Sequence, residues 1–363
     1  MEFKINKAVF ESLLSKIYPI IPMRSTLPAL ANVLLETKGN KLSVSATDLE
    51  TSATTIGVVE VMKEGGVAIN GRDLYNIIKE LPSTDIQVKV DNLLVKLQCD
   101  KGKFSMAGID KDEFPTLSEV GKEKKVDLSC AILQRAIDKT LFASAGGGPE
   151  DDVLGGMLLE LHQDGFRLVA SDGHKLAIFK KKQELGKVAH LLISARVWRE
   201  VMKLSTGIEI AFEKNRVGFY AEDIIIISRL IDKEFPPYES VIPKDNDKVL
   251  VVSKNELIST LKRALVFAPE VSRFIKFNIS SNNIVMETSS ETGEAKQELP
   301  CKYEKEEIEI AFNGNYLLSI ISKIESEELQ ILLKDSESAI LVSPTEQGEG
   351  EEIIYLLMPI RLE

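Results

Sequence analysis

The segment FKINKAVFESLL, residues 3–14, sets the pattern from which the rest of the chain can be interpreted. Its first residues alternate between apolar and polar, as expected of a strand with one buried face, and the alternation stops at Asn6. An Asn side chain can accept a hydrogen bond from the free N–H groups of a first helical turn, so Asn6 is a predicted helix N-cap. Apolar residues follow four, seven and eight positions later, at Phe10, Leu13 and Leu14, on one face of a helix. The segment therefore predicts a strand that leads directly into an amphipathic helix.

The same pattern recurs along the chain. VDLSCAILQRAI begins at Val126 and VLVVSKNELISTL begins at Val249, and each third of the chain holds a second copy about 60 residues further on. The apolar stripe lapses at Thr260. The predicted caps of these further copies are Asn70, Ser129, Ser194, Ser253 and Asn313. This repetition indicates a duplicated structural module.

Between the predicted helices, alternating stretches such as LSVSAT at 42–47 and IEIAF at 208–212 predict strands. At about 150 residues per domain, a chain of this length allows two or three domains. We therefore predict an α+β fold of three similar domains, each built from two half-repeats of strand, helix and antiparallel strands. The predicted domains cover residues 1–123, 124–246 and 247–363.

The composition is typical of a folded globular protein, with 44% hydrophobic and 28% charged residues. No apolar run approaches the roughly 18 residues needed to span a bilayer, and MEFKINK at the start does not resemble an export signal. We therefore predict a cytoplasmic protein with no membrane association. Cys99, Cys130 and Cys301 are far apart, which predicts buried free thiols rather than a disulfide framework or a zinc site.

The net charge of −11 argues at first against nucleic acid binding, which depends on Lys and Arg contacts to phosphates. The charge is unevenly distributed, however. The six predicted helices carry 13 basic and 6 acidic residues, so an excess of seven positive charges lies on the helices and −18 on the rest of the chain. Solvated helix faces often carry Lys and Arg without any such role. Combined with the threefold repetition, the segregation favours helices that form a positive surface able to contact DNA without reading its sequence.

The stretch VASDGHKLA, residues 169–177, admits two interpretations from its residues alone. Asp172 and His174 could form an acid–base pair of a hydrolase, or Asp-Gly could make a tight turn between strands with Gly173 at positive φ. The matching place in the first repeat has an aspartate, Asp48, but no histidine, which argues against a duplicated catalytic pair. The chain also lacks an HExxH motif and a phosphate-binding GxxxxGK[ST] motif. We expect no catalytic residues, no metal and no cofactor.

The whole chain resembles the family of the bacterial DNA polymerase III beta subunit, the sliding clamp. The resemblance rests on TLPALANVLL from Thr26, SATDLE from Ser45, DEFPTL from Asp112, SDGHKLA from Ser171, EFPPYESVIPK from Glu234 and MPIRLE from Met358. It implies a non-catalytic processivity factor that encircles duplex DNA as a ring-shaped head-to-tail homodimer, with helices facing the hole and sheets outside. It also implies that a clamp loader complex opens the ring, and that the replicative DNA polymerase and repair proteins bind through short peptide motifs.

The resemblance further implies a cleft for those motifs. Carried over position by position, the cleft residues are Leu154, Ser171, Gly173, His174, Lys175, Leu176, Pro236, Val241, Asn313, Tyr316, Leu356, Met358, Pro359, Ile360, Arg361 and Leu362. The chain departs from the family pattern at several positions. Ser171 replaces a threonine, Lys175 an arginine and Ser240 a basic residue, and Glu363 follows the usual final leucine. Met358 would provide a flexible wall that accepts varied partners.

Matching positions also imply DNA contacts by Arg24, Arg72 and Arg196, although the residues alone are equally typical of solvated arginines. For the subunit interface, the resemblance implies contacts between two sets of residues, with Lys101 and Lys103 pairing with Glu294. These sets are Ile77, Lys101, Lys103, Phe104 and Met106 in the first domain and Val266, Phe267 and Glu294 in the third. The family's run of glutamates is interrupted here by Lys296 and Gln297. A repeat scaffold that binds proteins without encircling DNA remains an alternative on the residues alone.

Overall fold

A computed structural model of the protein describes residues 1–115, 118–121, 125–146, 153–205 and 207–361. Within these residues the helices are α1 (Lys7–Ile17), α2 (Gly71–Glu80), α3 (Cys130–Thr140), α4 (Ala195–Val201), α5 (Lys254–Leu265) and α6 (Gly314–Ile321). The strands, in chain order, are β1 (Glu2–Asn6), β2 (Asn32–Lys38), β3 (Lys41–Thr47), β4 (Thr51–Val58), β5 (Glu60–Lys63), β6 (Gly65–Asn70), β7 (Asp85–Asp91), β8 (Leu94–Cys99), β9 (Gly102–Ile109), β10 (Lys125–Leu128), β11 (Gly156–His162), β12 (Gly165–Ser171), β13 (Lys175–Lys182), β14 (Ala189–Ser194), β15 (Ile208–Phe212), β16 (Arg216–Tyr220), β17 (Ile224–Arg229), β18 (Lys248–Ser253), β19 (Phe274–Ser280), β20 (Asn283–Ser290), β21 (Gly293–Pro300), β22 (Ile308–Asn313), β23 (Glu328–Leu333), β24 (Ile340–Pro344) and β25 (Glu351–Leu357).

Each predicted half-repeat is present as a strand followed at once by a helix. The pairs are β1–α1, β6–α2, β10–α3, β14–α4, β18–α5 and β22–α6. Asn side chains cap the first helix of the chain and two later ones, and serines cap two more. The caps that accept a backbone hydrogen bond from the first turn of their helix are Asn6, Asn70, Ser194, Ser253 and Asn313.

The apolar stripes of the helices face the core as predicted. Phe10, Leu13 and Leu14 of α1 are all buried, and so are the equivalent residues of the other helices except Ile77 and Met202, which are partly exposed. Thr260, the polar residue that interrupts the apolar stripe of α5, is also buried. Its hydroxyl accepts a hydrogen bond from Arg263 Nη2 at 3.0 Å, which satisfies the polar group inside the protein. Ile77 is only partly buried and so leaves an apolar surface at the edge of α2.

Two compact units divide the described chain. The first comprises Met1–Ile132 and Glu200–Leu230. Its strands form one sheet in the order β10-β15-β16-β17-β4-β3-β2-β6-β9-β8-β7-β1-β5. Helix α1 lies on β3 and β4 and packs against α2. Pairing of β17 with β4, which places Ile226 opposite Ala53, joins strands of the first repeat to strands of the second within this unit.

The second unit comprises Leu133–Arg199 and Ile231–Glu363. One of its sheets has the order β14-β11-β12-β13-β25-β24-β23-β18, and the other has the order β21-β20-β19-β22. Helix α5 packs against α6 and against β21. Strand β13 of the second repeat pairs with β25 of the third, and Leu176 lies opposite Leu356.

The predicted domain boundary at residue 123 lies outside the described residues. The chain at the second predicted domain boundary, between residues 246 and 247, is anchored rather than free, because Asn246 Nδ2 donates to the carbonyl oxygens of Leu332 and Ala339, both at 3.0 Å. A partly buried side-chain amide with two backbone partners restricts the chain at this point. The join is therefore not a flexible linker.

The three cysteines are free thiols, but only two are buried. Cys99 and Cys301 are in the core, and burial raises the pKa of the Cys301 thiol to about 11. The prediction of a buried thiol is wrong for Cys130, which is partly exposed at the start of α3 and donates to the Leu204 carbonyl at 3.1 Å. Across the described ranges, none of the helices combines the length and the apolar character that crossing a membrane requires.

Candidate functional site

The SDGH stretch forms a tight turn between β12 and β13. One carboxylate oxygen of Asp172, Oδ1, accepts hydrogen bonds from the backbone N–H groups of His174 and Lys175, both at 2.9 Å. Gly173 has φ +87°, a conformation that glycine adopts without strain. The turn interpretation is confirmed, because Asp172 holds the backbone and the His174 ring stacks on Tyr316 with centroids 5.6 Å apart.

Lys175 is buried behind this turn, with 7% of its surface exposed. Its ammonium group forms an ion pair with Asp172 and lies 4.6 Å from the centre of the Tyr316 ring. A cation that lies over an aromatic face and is paired with a carboxylate is compensated for the loss of water that burial imposes. Lys175 therefore joins the turn to helix α6 through Tyr316.

Tyr316 is positioned by the cap of its own helix. Asn313 Oδ1 accepts from the backbone N–H groups of Asn315 at 3.0 Å and Tyr316 at 3.2 Å. The cap fixes where α6 begins, and so fixes the Tyr316 ring beside His174 and Lys175. Asn313 thus acts on this site through the backbone.

The C-terminal segment lies along the same turn. The Met358 N–H donates to the His174 carbonyl at 3.0 Å, and the Ile360 N–H donates to the Ala311 carbonyl at 2.7 Å. These two bonds hold the residues that follow β25 against the turn at His174 and against Ala311 in β22. The Met358 side chain is 43% exposed, so it is available to a ligand.

The floor of this region is apolar. Leu176 and Leu356 are buried in one cluster with Tyr238, and Phe235 and Ile242 pack against that cluster. The loop between them carries Pro236 and Val241, which are both exposed. On the other side of the turn, Leu154 Cδ1 lies 3.9 Å from the position a Cβ atom would take on Gly173.

The second unit thus holds each predicted cleft residue that the structure describes, and Leu362 lies outside the described residues. We call this set the cleft: the 171–176 turn, Leu154, the 236–241 loop, Asn313 and Tyr316 of α6, and residues 356–361. Such an apolar floor edged by a few polar groups suits a peptide with Leu or Phe side chains. Among the described residues, no group of three or more His, Cys, Asp or Glu is placed to hold a metal ion.

The arginines predicted to contact DNA have different surroundings. Arg24 is exposed, and Arg196 is partly buried in the first turn of α4. Arg72 is tied to the protein, because Nη1 donates to the Tyr18 hydroxyl at 3.2 Å and Nη2 donates to the Ile21 carbonyl at 2.8 Å. Its guanidinium also lies 5.2 Å from the centre of the Tyr18 ring.

Many of the basic helix residues have acidic partners that the charge count did not reveal. In the first unit Lys16 pairs with Asp223. In the second unit Glu325 accepts from Arg135 Nη1 and from Lys139 Nζ, both at 2.6 Å. The positive charge of the helices is therefore partly neutralised by carboxylates from loops.

Three family models match the chain. The N-terminal domain of the DNA polymerase III beta subunit matches residues 1–118, its central domain matches residues 127–237 and its C-terminal domain matches residues 239–361. The chain belongs to the DNA polymerase III beta subunit family. Membership makes it a sliding clamp, a non-catalytic processivity subunit of DNA polymerase III, rather than a hydrolase or an unrelated scaffold.

Curated relatives and solved structures agree with this family. The beta sliding clamp of Pseudomonas aeruginosa is 31% identical and that of Escherichia coli K12 is 28% identical, over the full length of both chains. A crystal structure of the P. aeruginosa sliding clamp bound to griselimycin superposes with a TM-score of 0.95 at 27% identity. The beta subunit of Thermotoga maritima superposes with a TM-score of 0.92 at 27% identity, and all of each chain is covered in both comparisons.

For this clamp, three of the predicted interface residues, Phe104, Met106 and Glu294, lie on strands with an open edge. In the first unit Phe104 and Met106 are on β9, which pairs with β8 along its length but with β6 only at Ala68 and Ile69. In the second unit β21 ends its sheet, and Glu294 is exposed on it. Such edges have N–H and C=O groups available for another strand.

The remaining interface positions are also accessible or close to these edges. Lys101 and Lys103 are exposed at the beginning of β9, and Val266 is 72% exposed after α5. The Phe267 ring lies against Gly293, 3.0 Å from where a Cβ atom would stand. The two departures from the family have partners within the unit, because Lys296 pairs with Glu287 at 2.8 Å and Gln297 accepts from Arg263 at 2.5 Å.

Sequence reasoning missed two residues behind the cleft of this clamp, Glu160 and Arg167. Glu160 lies in β11, where all neighbours from Gly156 to Leu161 are buried. A carboxylate in such an apolar strand is a signal that could have been found, since a buried acid needs a partner. That partner comes from the cleft loop.

Proposed function

We propose that two copies of this sliding clamp close head to tail into a ring around duplex DNA and that the cleft tethers the replicative DNA polymerase. A clamp loader complex and repair proteins would use the same cleft through short peptide motifs. The observation that carries the proposal is the cleft itself, in which Tyr316 stacks on His174 of the SDGHK turn and the C-terminal segment bonds to the same turn through the Met358 N–H. Family membership of the whole chain supports the assignment.

The proposed ring is composed of three domains per subunit, over residues 1–123, 124–246 and 247–363, and works in the cytoplasm. The three family matches support this division. An enclosing ring raises the effective concentration of polymerase at the DNA by topology, so strong contacts to the duplex are not needed. Weak, non-specific phosphate contacts allow sliding, and base-specific contacts would oppose it.

Topology provides the test. The purified protein is loaded onto a nicked circular plasmid with a clamp loader and ATP, washed at high salt, and the circle is then cut with a restriction enzyme. We expect the protein to remain on the circle through the wash and to leave after linearisation. Equal release from circular and linear DNA would favour a scaffold that does not enclose the duplex.

A separate test addresses the cleft. Deletion of residues 359–363 removes the segment whose Ile360 N–H bonds to Ala311, and should abolish binding of a polymerase-derived peptide containing Leu and Phe. The same peptide with both apolar residues changed to Ala is the control ligand. Sedimentation should show an intact dimer, because the deletion lies away from β9 and β21 in sequence. Unchanged peptide affinity would place the site elsewhere.

A further inference from the structure

The loop that forms one wall of the cleft is attached to a buried carboxylate. Glu160 is 7% exposed in β11, and its strand neighbours across the sheet are Arg167 of β12 and His190 of β14. The hydroxyl of Tyr238 donates to Glu160 Oε2 at 2.5 Å. Tyr238 begins the short 3-10 turn Tyr238–Val241, so this bond ties the cleft loop to the sheet.

Arg167 makes a second attachment to the same loop. Its Nη1 atom lies 3.3 Å from the Tyr238 hydroxyl and 2.6 Å from Glu239 Oε1. The same atom is 3.7 Å from Glu160 Oε2. Two successive loop residues are therefore held by two adjacent strands, through bonds in which at least one partner is charged.

The rest of the loop has fewer attachments. The Tyr238 N–H donates to the Pro236 carbonyl at 2.6 Å and the Ser240 N–H donates to the Pro237 carbonyl at 3.1 Å, and both bonds are internal to the loop. Pro236 and Val241 are exposed. The Tyr238 ring, by contrast, is buried in the cluster of Leu176 and Leu356. Tyr238 is therefore the loop residue that is attached to the sheet both by its buried ring and by its hydroxyl, next to the attachment at Glu239.

We propose that Glu160, Tyr238 and Arg167 are positioning residues of the cleft, which hold Pro236 and Val241 where an apolar side chain of a partner peptide can enter. This inference rests on the proposed function of the cleft as a peptide site. None of the three needs to touch the peptide. They act by raising the fraction of free protein in which the loop is already in its binding position. The apparent affinity for the peptide is proportional to that fraction, so it falls when the fraction falls.

Tyr238→Phe tests the proposal, because it removes the hydroxyl and keeps the buried ring. We expect the peptide Kd to rise about five- to tenfold, through slower association, since fewer free molecules have the competent loop. Tyr220→Phe is the matched control. Its hydroxyl is also in a buried hydrogen bond, to the Val120 carbonyl at 3.1 Å, but it belongs to the first unit, so peptide affinity should not change.

Two further variants separate positioning from general destabilisation. Glu160→Gln keeps an oxygen that can accept from Tyr238 and should affect affinity less than Glu160→Leu. In a Val241→Ala background, the effect of Tyr238→Phe should shrink, because both changes act through the same wall. Equal effects of the two Glu160 variants, or full additivity of Tyr238→Phe with Val241→Ala, would overturn the proposal.

Hydrogen exchange gives a readout that does not depend on peptide binding. Amides of residues 238–242 should exchange faster in Tyr238→Phe than in the wild type, while amides of β11 and β12 should not. Unchanged loop exchange would overturn the positioning role. Absence of peptide binding by the wild type, combined with faster loop exchange in the variant, would instead reject the proposed function of the cleft and leave the attachment of the loop supported.

Discussion

The ammonium group of Lys175 lies 4.6 Å from the centre of the Tyr316 ring, with the Asp172 carboxylate paired to the same group. The two residues are far apart in the sequence, and their contact joins the turn between β12 and β13 to helix α6. Both residues belong to the cleft, so this contact is part of the surface proposed to bind peptides. Asp172, which the sequence offered as a catalytic acid, is thus a structural partner of Lys175.

Asp172→Asn should separate the two roles of this carboxylate. The amide oxygen can still accept from the backbone N–H groups of the turn, but the charge that neutralises buried Lys175 is lost. We expect a loss of about 2 kcal/mol in the free energy of unfolding, measured by urea denaturation, together with weaker peptide binding. Asp335→Asn is the control, because Asp335 accepts from the N–H groups of Glu337 and Ser338 in an exposed turn. Equal losses in the two variants would contradict a special role for the Lys175 pair.

The fold was largely predictable from local signals. Strand alternation, the caps and the apolar stripes are each decided by a few neighbouring residues, and the six strand–helix units follow them. A glycine follows the caps Asn70 and Asn313, and the apolar periodicity of the helices does not explain why. A Cβ atom on Gly71 would stand 2.5 Å from Val33 Cγ1, and one on Gly314 would stand 2.6 Å from Ile275 Cδ1. These glycines allow the helix to approach the sheet.

The site was less predictable, because it depends on contacts between distant parts of the chain. The turn at Gly173 could be predicted from the Asp-Gly sequence. The contact of this turn with Tyr316 of α6 could not, because it joins residues far apart in the chain. The partial neutralisation of Lys139 by Glu325, and the use of Arg72 to hold Tyr18, likewise arise only once strands and helices are packed. A charge count along the sequence therefore overstates the positive potential of the helices.

Asn313→Ala should affect both stability and binding, whereas Asn70→Ala should affect stability alone. Each side chain accepts two backbone hydrogen bonds at the start of its helix, so each substitution should cost about 1 kcal/mol in the free energy of unfolding. Only Asn313 positions Tyr316 in the cleft. Titration of both variants with a fluorescent peptide should show weaker binding for Asn313→Ala, and a parallel loss in Asn70→Ala would indicate a general effect of destabilisation.

Charge reversal at the strand edges should report on the proposed dimer. Glu294→Lys places a positive charge on β21, where the resemblance pairs Glu294 with Lys101 and Lys103 of a second copy. We expect the dimer dissociation constant to rise about tenfold, because like charges then face each other at a rim. Sedimentation velocity over a concentration series measures it.

The double variant Glu294→Lys with Lys103→Glu restores opposite charges and should recover most of the affinity between subunits. Glu294→Lys combined with Lys38→Glu, at the exposed end of β2, has the same net charge as this double variant and is the control, which should not recover the affinity. No recovery in the double variant would show that Lys103 and Glu294 do not face each other.

The pair of Glu325 with Lys139 should make the stability of the second unit depend on pH. The hydrogen bond from Lys139, and after it the bond from Arg135, lowers the pKa of the Glu325 carboxyl below its usual value of 4.5 against the opposing effect of burial. A carboxyl with a depressed folded-state pKa contributes stability above its unfolded pKa, and that contribution is lost as pH falls through the folded value. Stability should therefore decline as pH is lowered from about 5, in part through Glu325.

Glu325→Gln isolates this contribution. At neutral pH the variant should be less stable by about 1 kcal/mol, a modest value because Glu325 is 57% exposed although Lys139 is not. The difference from the wild type should shrink as pH falls below 4.5 and disappear once Glu325 is protonated in the folded state. Asp245→Asn is the control, since the Asp245 pair with Lys334 is exposed on both sides and should contribute less. The free energy of unfolding is measured for both proteins from pH 7 to pH 3. A difference between them that stays constant over this range would show that the ionised carboxylate does not stabilise Lys139.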